Sequence, residues 1–432
     1  MTPAARLSAA IEILDAIAAQ RRPAADALKE WGLTHRFAGS GDRAAIAALV
    51  YDSLRVKASS AFIMGAETGR ALVLGMLKRT RHFSRDGIAA LCSGERFAPQ
   101  PLTGGESAAL DRDHLSTAPA YVQGDYPEWL DPLFASAFGE ARVAELAAMT
   151  ERAPVDLRVN TLKIDVDAAE RELAHHHVRK TELAPTGLRI ALREDGRAPA
   201  IQSEPAFLKG HVEVQDEGSQ LVTQLCAPDT GMQVVDLCAG GGGKTLALAA
   251  LMNNHGQIFA TDNDTRRLAP IYDRLERAGI RNVQVRSPKG RGDEPLADLE
   301  GRIDLVIVDA PCTGTGTWRR NPDAKWRVRP GALEQREKDQ AAVLDRAAGL
   351  VKKGGRIAYI TCSLLPPEND DAVNGFLARH PEFTVEAVDE VARRAGLSTL
   401  AHHRSIGGKG LLLTPLRTHT DGFYFASLLR TD

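Results

Sequence analysis

Two cysteines stand where a bound substrate could meet them. Cys312 closes the run DAPC and Cys362 follows Thr361 in TCS, 50 positions apart, each directly after a segment that reads as a buried strand. The stretch IDLVIVDA, residues 303–310, is apolar on both faces, as inner strands of a parallel sheet are, and ligands of open α/β sheets gather at the carboxyl ends of such strands. Both thiols are therefore expected at one crevice, an arrangement suited to sulfur chemistry on a substrate. A lone cysteine there is as readily a small core residue. The pair, flanked by Pro311 and Thr361, argues for chemistry.

A second feature concerns what else the crevice binds. The strand MQVVDL runs into CAGGGGKT and then a helical LALAALM, so Gly240, Gly241, Gly242 and Gly243 fall at a strand-to-helix turn where backbone can approach a ligand. A phosphate-cradling G-x-x-x-x-G-K-[ST] would need glycine where Cys238 stands, and a dinucleotide G-x-G-x-x-G read from Gly240 would need it where Thr245 stands. Asp262, 22 positions beyond Gly240 and after the next strand, suits a ribose diol. A nucleoside without polyphosphate fits these residues best. The bland alternative is a packing turn with Asp262 as a helix cap.

The elements that must position these residues follow from periodicity. Leu7, Ile11, Leu14 and Ile17, then Ile46, Leu49, Val50 and Leu54, recur at helical spacing, which predicts an all-α domain over 1–115. Residues 98–120 turn rich in Pro, Gly, Ser and Thr and read as a linker. EWLDPLFASAFG and GEARVAELAAMTER then read as helices, and VDLRVN, DAAERELAHHH, GLRIAL and HVEVQD as strand, helix, strand, strand, giving a small α+β module over 120–228. From 229 to 432, MQVVDL, GQIFATD, IDLVIVDA and GRIAYIT alternate with helical patterns, which predicts an α/β fold with a doubly wound parallel sheet. LLLTP and GFYFASLL are expected to close that sheet as antiparallel edge strands.

Bulk properties narrow the class. A chain of 432 residues with 44% hydrophobic side chains exceeds the roughly 250 to 300 residues that one core serves, so several domains are expected. The net charge of -2 means that any nucleic acid must be met by local basic surface. Five cysteines without a C-x-x-C pair speak against a disulfide framework or a zinc knuckle. The first twenty residues lack a signal-peptide core, no apolar run reaches about 18 residues, and a cytoplasmic, monomeric protein is the expectation.

The motifs taken in order, VVDLCAGGGGKT, ATDNDTRRL, DLVIVDAPCTGTGTWRRNPDAKW and GGRIAYITCSLLPPEND, resemble the Sun (Fmu) family of S-adenosylmethionine-dependent RNA cytosine-5 methyltransferases. YPEWL, RVNTLK and VQDEGSQ resemble its lead-in, so the likeness runs from about Tyr126 to the C-terminus. RFAGSGDRAAIAALVYDSLR is similar, more loosely, to the NusB-like RNA-binding domain of bacterial members acting on small-subunit ribosomal RNA. The resemblance implies a Rossmann-like methyltransferase domain and a covalent route: a thiolate adds to carbon 6 of cytosine, carbon 5 takes the methyl group, and loss of the carbon-5 proton expels the enzyme. It assigns the attacking thiolate to Cys362 and assistance in release to Cys312. Asp309 would hydrogen-bond the cytosine ring, and Lys244 would order the site. The S-adenosylmethionine site would comprise Cys238, Ala239, Gly240, Gly241, Gly242, Gly243, Lys244, Asp262 and Asp309. Two departures stand out. The family reads CAAPGGKT, so Gly240 and Gly241 replace an alanine and a proline. The family also places an acid just after the third strand, whereas NVQVRSPKG offers none between Glu276 and Asp293; what replaces it stays open, with Asp293 as a candidate.

An RNA substrate must be unstacked and held by aromatic or cationic side chains. TWRRNPDAKWRVRP supplies Trp318, Arg319, Arg320, Lys325, Trp326 and Arg327 against one carboxylate, Asp323, and is the expected RNA contact; its rival reading is a loop with both tryptophans packed inward. Lys78, Arg79, Arg81 and Arg85 form a second basic cluster, as readily a solvated helix face. The histidines at 175–177 and 402–403 lack metal-ligand spacing, so no metal is expected. Alternatives for the whole chain are a transfer-RNA methyltransferase, a P-loop ATPase using GGGGKT, and a non-catalytic RNA-binding assembly factor with the same fold.

Overall fold

The computed structural model describes residues 1–432 apart from 113–114, 193–198, 289 and 291–292. The described residues divide into two compact units, one of Met1–Arg152 with Trp318–Val328, the other holding the remainder. No helix among them is long and apolar enough to cross a membrane.

The first unit is helical. Thr2 caps Pro3–Gln20 by accepting from the Ala5 N–H, and Thr68 caps Gly69–Arg81 by accepting from Ala71, so polar residues just ahead of each apolar stripe mark where the helices begin. Leu7, Ile13 and Leu14 pack with Ile46, Leu49 and Val50 of Ser40–Arg55 and with Leu72, Val73 and Leu77 in one core. The unit extends beyond the 98–120 stretch, because Ala120–Gln123, Asp131–Phe138 and Arg142–Ala148 belong to it as well.

The second unit contains two sheets. Strands β1 (Val155–Val159), β2 (Arg179–Lys180), β3 (Gly187–Ile190) and β4 (Val212–Val214) form an antiparallel sheet in the order β2-β3-β1-β4. The larger sheet contains β5 (Gln233–Asp236), β6 (Gln257–Ala260), β7 (Val283–Val285), β8 (Ile303–Asp309), β9 (Val351–Thr361), β10 (Phe383–Val385), β11 (Leu411–Leu413) and β12 (Phe423–Arg430). Its order is β10-β12-β9-β8-β5-β6-β7, with β5 to β9 parallel and β12 antiparallel to β9, β10 and β11. Leu305, Val306, Ile307 and Val308 are all buried, so β8 is covered on both faces as its composition requires. The two C-terminal strands are antiparallel as expected, but β12 is interior because the short β10 pairs on its far side.

From β5 the chain winds outward through β6 and β7, then returns to lay β8 and β9 on the other flank of β5. That reversal between β5 and β8 is the place where doubly wound sheets bind ligands, beyond the carboxyl ends of the strands. The glycine loop leaves β5 there, Asp309 ends β8, and Cys362 directly follows β9.

Candidate active site

The β8–β9 register sets Asp309 level with Ile360, so the two chains leave the sheet side by side. They stay paired beyond it: the Ala310 N–H donates to the Ile360 carbonyl at 2.8 Å and the Gly316 N–H to the Cys362 carbonyl at 2.9 Å. Cys312 Sγ and Cys362 Sγ consequently lie 3.3 Å apart, both partly buried. The hydrogen bond with Cys362, and then burial, push the Cys312 thiol well above its ordinary range. Two thiols in contact can carry one negative charge between them far more readily than two, so Cys312 keeps its proton when its neighbour is ionised.

A buried carboxylate that sequence reasoning did not single out underlies both cysteines. Glu368 accepts from the Thr313 N–H at 2.7 Å, from the Thr313 and Ser363 hydroxyls, and from Gln340 Nε2 at 3.1 Å. Gln340 also donates to the Pro311 carbonyl at 3.0 Å. Thr361 and Asn369 close the other side, through Thr361 Oγ1 to Asn369 Oδ1 at 2.6 Å and Asn369 Nδ2 to the Ser363 carbonyl at 3.0 Å.

The glycine loop becomes a helix at Gly243–Leu251, with Gly242 at its N-cap in the left-handed region, φ 82°. Lys244 Nζ donates to Asp309 Oδ2 at 2.6 Å. Burial lowers the ammonium, but the Asp309 carboxylate outweighs it and Lys244 ends raised. The Thr245 hydroxyl donates to Asp236 at 2.7 Å. Lysine and threonine are thus both engaged by carboxylates, Asp309 and Asp236, a pairing that the ATPase alternative does not call for. Asp262 Oδ2 accepts from the Gly240 N–H and its Oδ1 from the Asp264 N–H, each at 2.9 Å, so the acid and the loop hold one another.

Beside them lies a cavity of about 510 Å³, within the usual range for small-molecule sites, whose walls include Cys238, Asp262, Pro288, Asp293 and Pro311. A carboxylate fixed by backbone donors keeps lone pairs for a ribose diol, and the prolines offer flat apolar surface for a base. Pro311 of the wall directly precedes Cys312. These residues fit a nucleoside cofactor. Burial pushes the Cys238 thiol far up, so it stays protonated and inert on the cavity wall.

Comparison with known proteins agrees with this geometry. The model of the 16S rRNA methyltransferase RsmB/F family matches residues 223–429, and that of the RsmF/B-like ferredoxin-like domain matches 126–194. The probable ribosomal RNA small subunit methyltransferase B of Synechocystis sp. is 33% identical over 323 residues, covering 74% of this chain and 69% of that one. The chain belongs to the RsmB/F methyltransferase family. The ribosomal RNA small subunit methyltransferase B of Klebsiella pneumoniae is 32% identical over 321 residues, 71% of this chain and 66% of its own length. Among solved structures, PH0851 is similar with a TM-score of 0.72 at 26% identity over 99% of both chains. NSun6 from Pyrococcus horikoshii with SFG shares the fold at a TM-score of 0.61 and 21% identity, over 71% of this chain and 98% of that one. The Sun-family resemblance and the Rossmann-like fold expected from sequence are thereby established, and the chain is an S-adenosylmethionine-dependent RNA methyltransferase.

The RsmB/F chain departs from sequence expectation at the basic aromatic segment. Trp318 is fully buried and meets Phe134 edge-on at 6.0 Å. Lys325, also fully buried, donates to the carbonyls of Arg55 at 3.1 Å and Asp125 at 2.7 Å, and burial lowers its ammonium to about 7. Arg319 is buried, and half-buried Trp326 donates to the Leu54 carbonyl at 2.6 Å. Trp318, Arg319 and Lys325 are spent inside the helical unit and are not an RNA surface, and Trp326 is anchored there by its indole; of the six expected contacts Arg320 and Arg327 are exposed, and Arg327 pairs with Asp323 at 3.2 Å. The second basic cluster is similarly engaged: Arg79 pairs with Asp125 at 3.1 Å, Arg81 with Asp52 at 3.0 Å, Arg85 with Asp111 at 2.8 Å, and Lys78 donates to the Leu110 carbonyl. His175 and His176 both bond to Glu204, at 3.1 and 2.8 Å, a convergence that sequence spacing could not disclose.

Proposed function

We propose that this chain methylates carbon 5 of a cytosine in small-subunit ribosomal RNA through a covalent bond between Cys362 and the base. The observation that carries the reading is the pair of thiols in contact at 3.3 Å, one of them directly after Pro311 of the cavity wall and the other interacting with Lys244 of the Lys244–Asp309 pair. Carbon 5 of cytosine is a poor nucleophile, and a thiolate added at carbon 6 makes it an enamine carbon able to attack.

The residues divide the work by position. Cys362 supplies the electron pair to carbon 6. Asp309, held by the Lys244 ammonium, hydrogen-bonds the pyrimidine edge and stabilises the proton taken up at its ring nitrogen. Bound S-adenosylmethionine supplies the electrophilic methyl group, and Asp262 with the Cys238–Gly243 backbone holds its nucleoside end. Asp293, on the same cavity wall, is the candidate to meet the adenine. After methyl transfer the carbon-5 proton leaves to a base, the carbon–sulfur bond breaks, and its electron pair returns to Cys362. Cys312, which keeps its proton while Cys362 is ionised, steadies the departing thiolate through the short sulfur contact.

The test is denaturing electrophoresis of Cys312→Ala incubated with total RNA and S-adenosylmethionine, beside the variant also lacking Cys362. An RNA-linked band that requires Cys362 is the expected result; no band with RNA that the wild type methylates would undo the division of roles. Bisulfite mapping with and without the protein identifies the RNA, and a methylcytosine lost only from transfer RNA would overturn the ribosomal assignment.

A further inference from the structure

We infer that Glu368 is a positioning residue that ties the two cysteine loops together and assigns the proton of the dithiol to Cys312. The inference rests on the reading of Cys362 as the attacking thiolate and goes beyond it, because it names what tells two otherwise equivalent thiols apart.

The side chain of Glu368 is fully buried, and among the described residues it has no ion-pair partner. Burial raises its carboxyl, against the pull of the Ser363 and Thr313 hydrogen bonds. A buried carboxylate compensated only by neutral donors is a costly arrangement, and here its two oxygens accept four hydrogen bonds that an amide could not all take. What distinguishes it is where the donors sit. Thr313 follows Cys312 and gives Glu368 both its N–H and its hydroxyl; Ser363 follows Cys362 and gives its hydroxyl. Gln340 bridges Glu368 to Pro311, which precedes Cys312. Each thiol is therefore adjacent in sequence to a residue that the same carboxylate holds. Loosening that carboxylate removes its side-chain ties between the two loops and leaves the bonds from Ala310, Gly316 and Leu364 to hold the sulfurs in place.

The charge acts in the same direction as the geometry. Cys312 faces Cys362, Glu368 and Tyr359, and the Glu368 carboxylate disfavours a negative charge there. Tyr359 stays neutral, its phenol raised by burial and donating to the Glu368 carbonyl at 2.7 Å. The cation near the pair, Lys244, lies with Asp309 and interacts with Cys362. Negative charge behind Cys312 keeps the proton of the pair on that sulfur.

The experiment alkylates the full chain with iodoacetamide across a pH series and reads each cysteine by peptide mass spectrometry, for wild type and Glu368→Gln. The wild type should label at Cys362 with Cys312 protected. In Glu368→Gln the preference should fall by about tenfold, the ratio that corresponds to one pKa unit, and kcat should drop with little change in KM for RNA. S-adenosylmethionine binding and the melting temperature report folding, which a merely structural role would move without altering thiol preference. Should Glu368→Gln not fold, Thr313→Val and Ser363→Ala each remove one hydroxyl donor and should reduce the preference partially. A folded variant with wild-type labelling overturns the inference. Wild-type methyl transfer is measured in parallel: if it is absent from cytosine while Glu368→Gln still loses its preference, the assigned reaction fails and the role of Glu368 stands.

Discussion

Replacing Gly242 by alanine should be far more damaging than replacing its neighbour Gly241, although both belong to one glycine run. Gly242 has φ 82°, and a Cβ built there would lie 2.5 Å from Ile271 Cγ1 and 2.9 Å from its Cδ1. Ile271 cannot swing away: it is β-branched, fully buried, and packed with Ala260 and Leu268. The left-handed backbone costs an L-residue roughly 1–2 kcal/mol and the overpacking roughly 1–3 kcal/mol more, together about 2–5 kcal/mol. At Gly241 the backbone is not left-handed and the Cβ would meet only the guanidinium of Arg274, at 3.1 Å, a side-chain end that can give slightly while keeping its bonds to the Gly241 carbonyl and Glu213, so the change should fall within about 1 kcal/mol of neutral. Thermal unfolding and calorimetric titration with S-adenosylmethionine measure both. Gly242→Ala should lower the melting temperature by about 5–15 °C, at roughly 2–4 °C per kcal/mol for a unit of this size, and weaken the cofactor by about tenfold or more. The two costs separate in a double-mutant cycle, because Ile271→Ala removes the colliding atoms and leaves only the backbone strain. Equal melting temperatures and affinities for Gly241→Ala and Gly242→Ala would refute the reasoning.

Three other outcomes follow from single side chains. Burial pushes the Asp236 carboxyl up to about 7, against the Thr245 hydrogen bond, whereas the unfolded chain titrates near 3.9; its bound proton therefore stabilises the fold fully below about pH 4, and that stability is lost as pH rises through 7. Asp236→Asn cannot ionise and should flatten this part of the stability profile, which chemical denaturation across pH would reveal; an unchanged slope would contradict it. Trp318→Ala should cost the helical unit about 3–5 kcal/mol, read as a lowered melting temperature, because the ring fills a core site beside Phe134; loss of RNA affinity without loss of stability would restore the surface reading. Asp262→Ala should weaken S-adenosylmethionine by about 10- to 100-fold, since charged hydrogen bonds of roughly 1.5–3 kcal/mol to the diol and to the Gly240 N–H disappear together, and an unaltered dissociation constant would remove Asp262 from the site.

What was legible in this sequence was whatever topology converts into position. A doubly apolar strand such as residues 303–309 must lie inside a parallel sheet, and a residue just beyond it must lie at the carboxyl edge, so Cys312, Asp309 and the glycine loop could be placed without coordinates. The same logic located Cys362 after β9 but could not supply the 3.3 Å sulfur contact, which depends on the register of β8 against β9. Glu368 was illegible for a different reason. Its donors come from Thr313, Gln340 and Ser363, at sequence separations of 55, 28 and 5, and no local pattern links an acid in PPEND to them.

The basic aromatic segment shows where composition misleads. Lysine and tryptophan there look like RNA contacts because the usual acceptor for a cation is an anion. In this chain the acceptors are main-chain carbonyls near helix ends, of Leu54, Arg55 and Asp125, which carry no signature in the sequence. A buried lysine satisfied by two carbonyls, with the Asp125 carboxylate nearby, is compatible with the fold only because Arg79 and Ser59 hold that carboxylate in turn, the latter through its N–H and hydroxyl at 2.8 Å. The arrangement gives Trp318–Val328 a structural duty within the helical unit, where even the exposed Arg327 pairs with Asp323 at 3.2 Å.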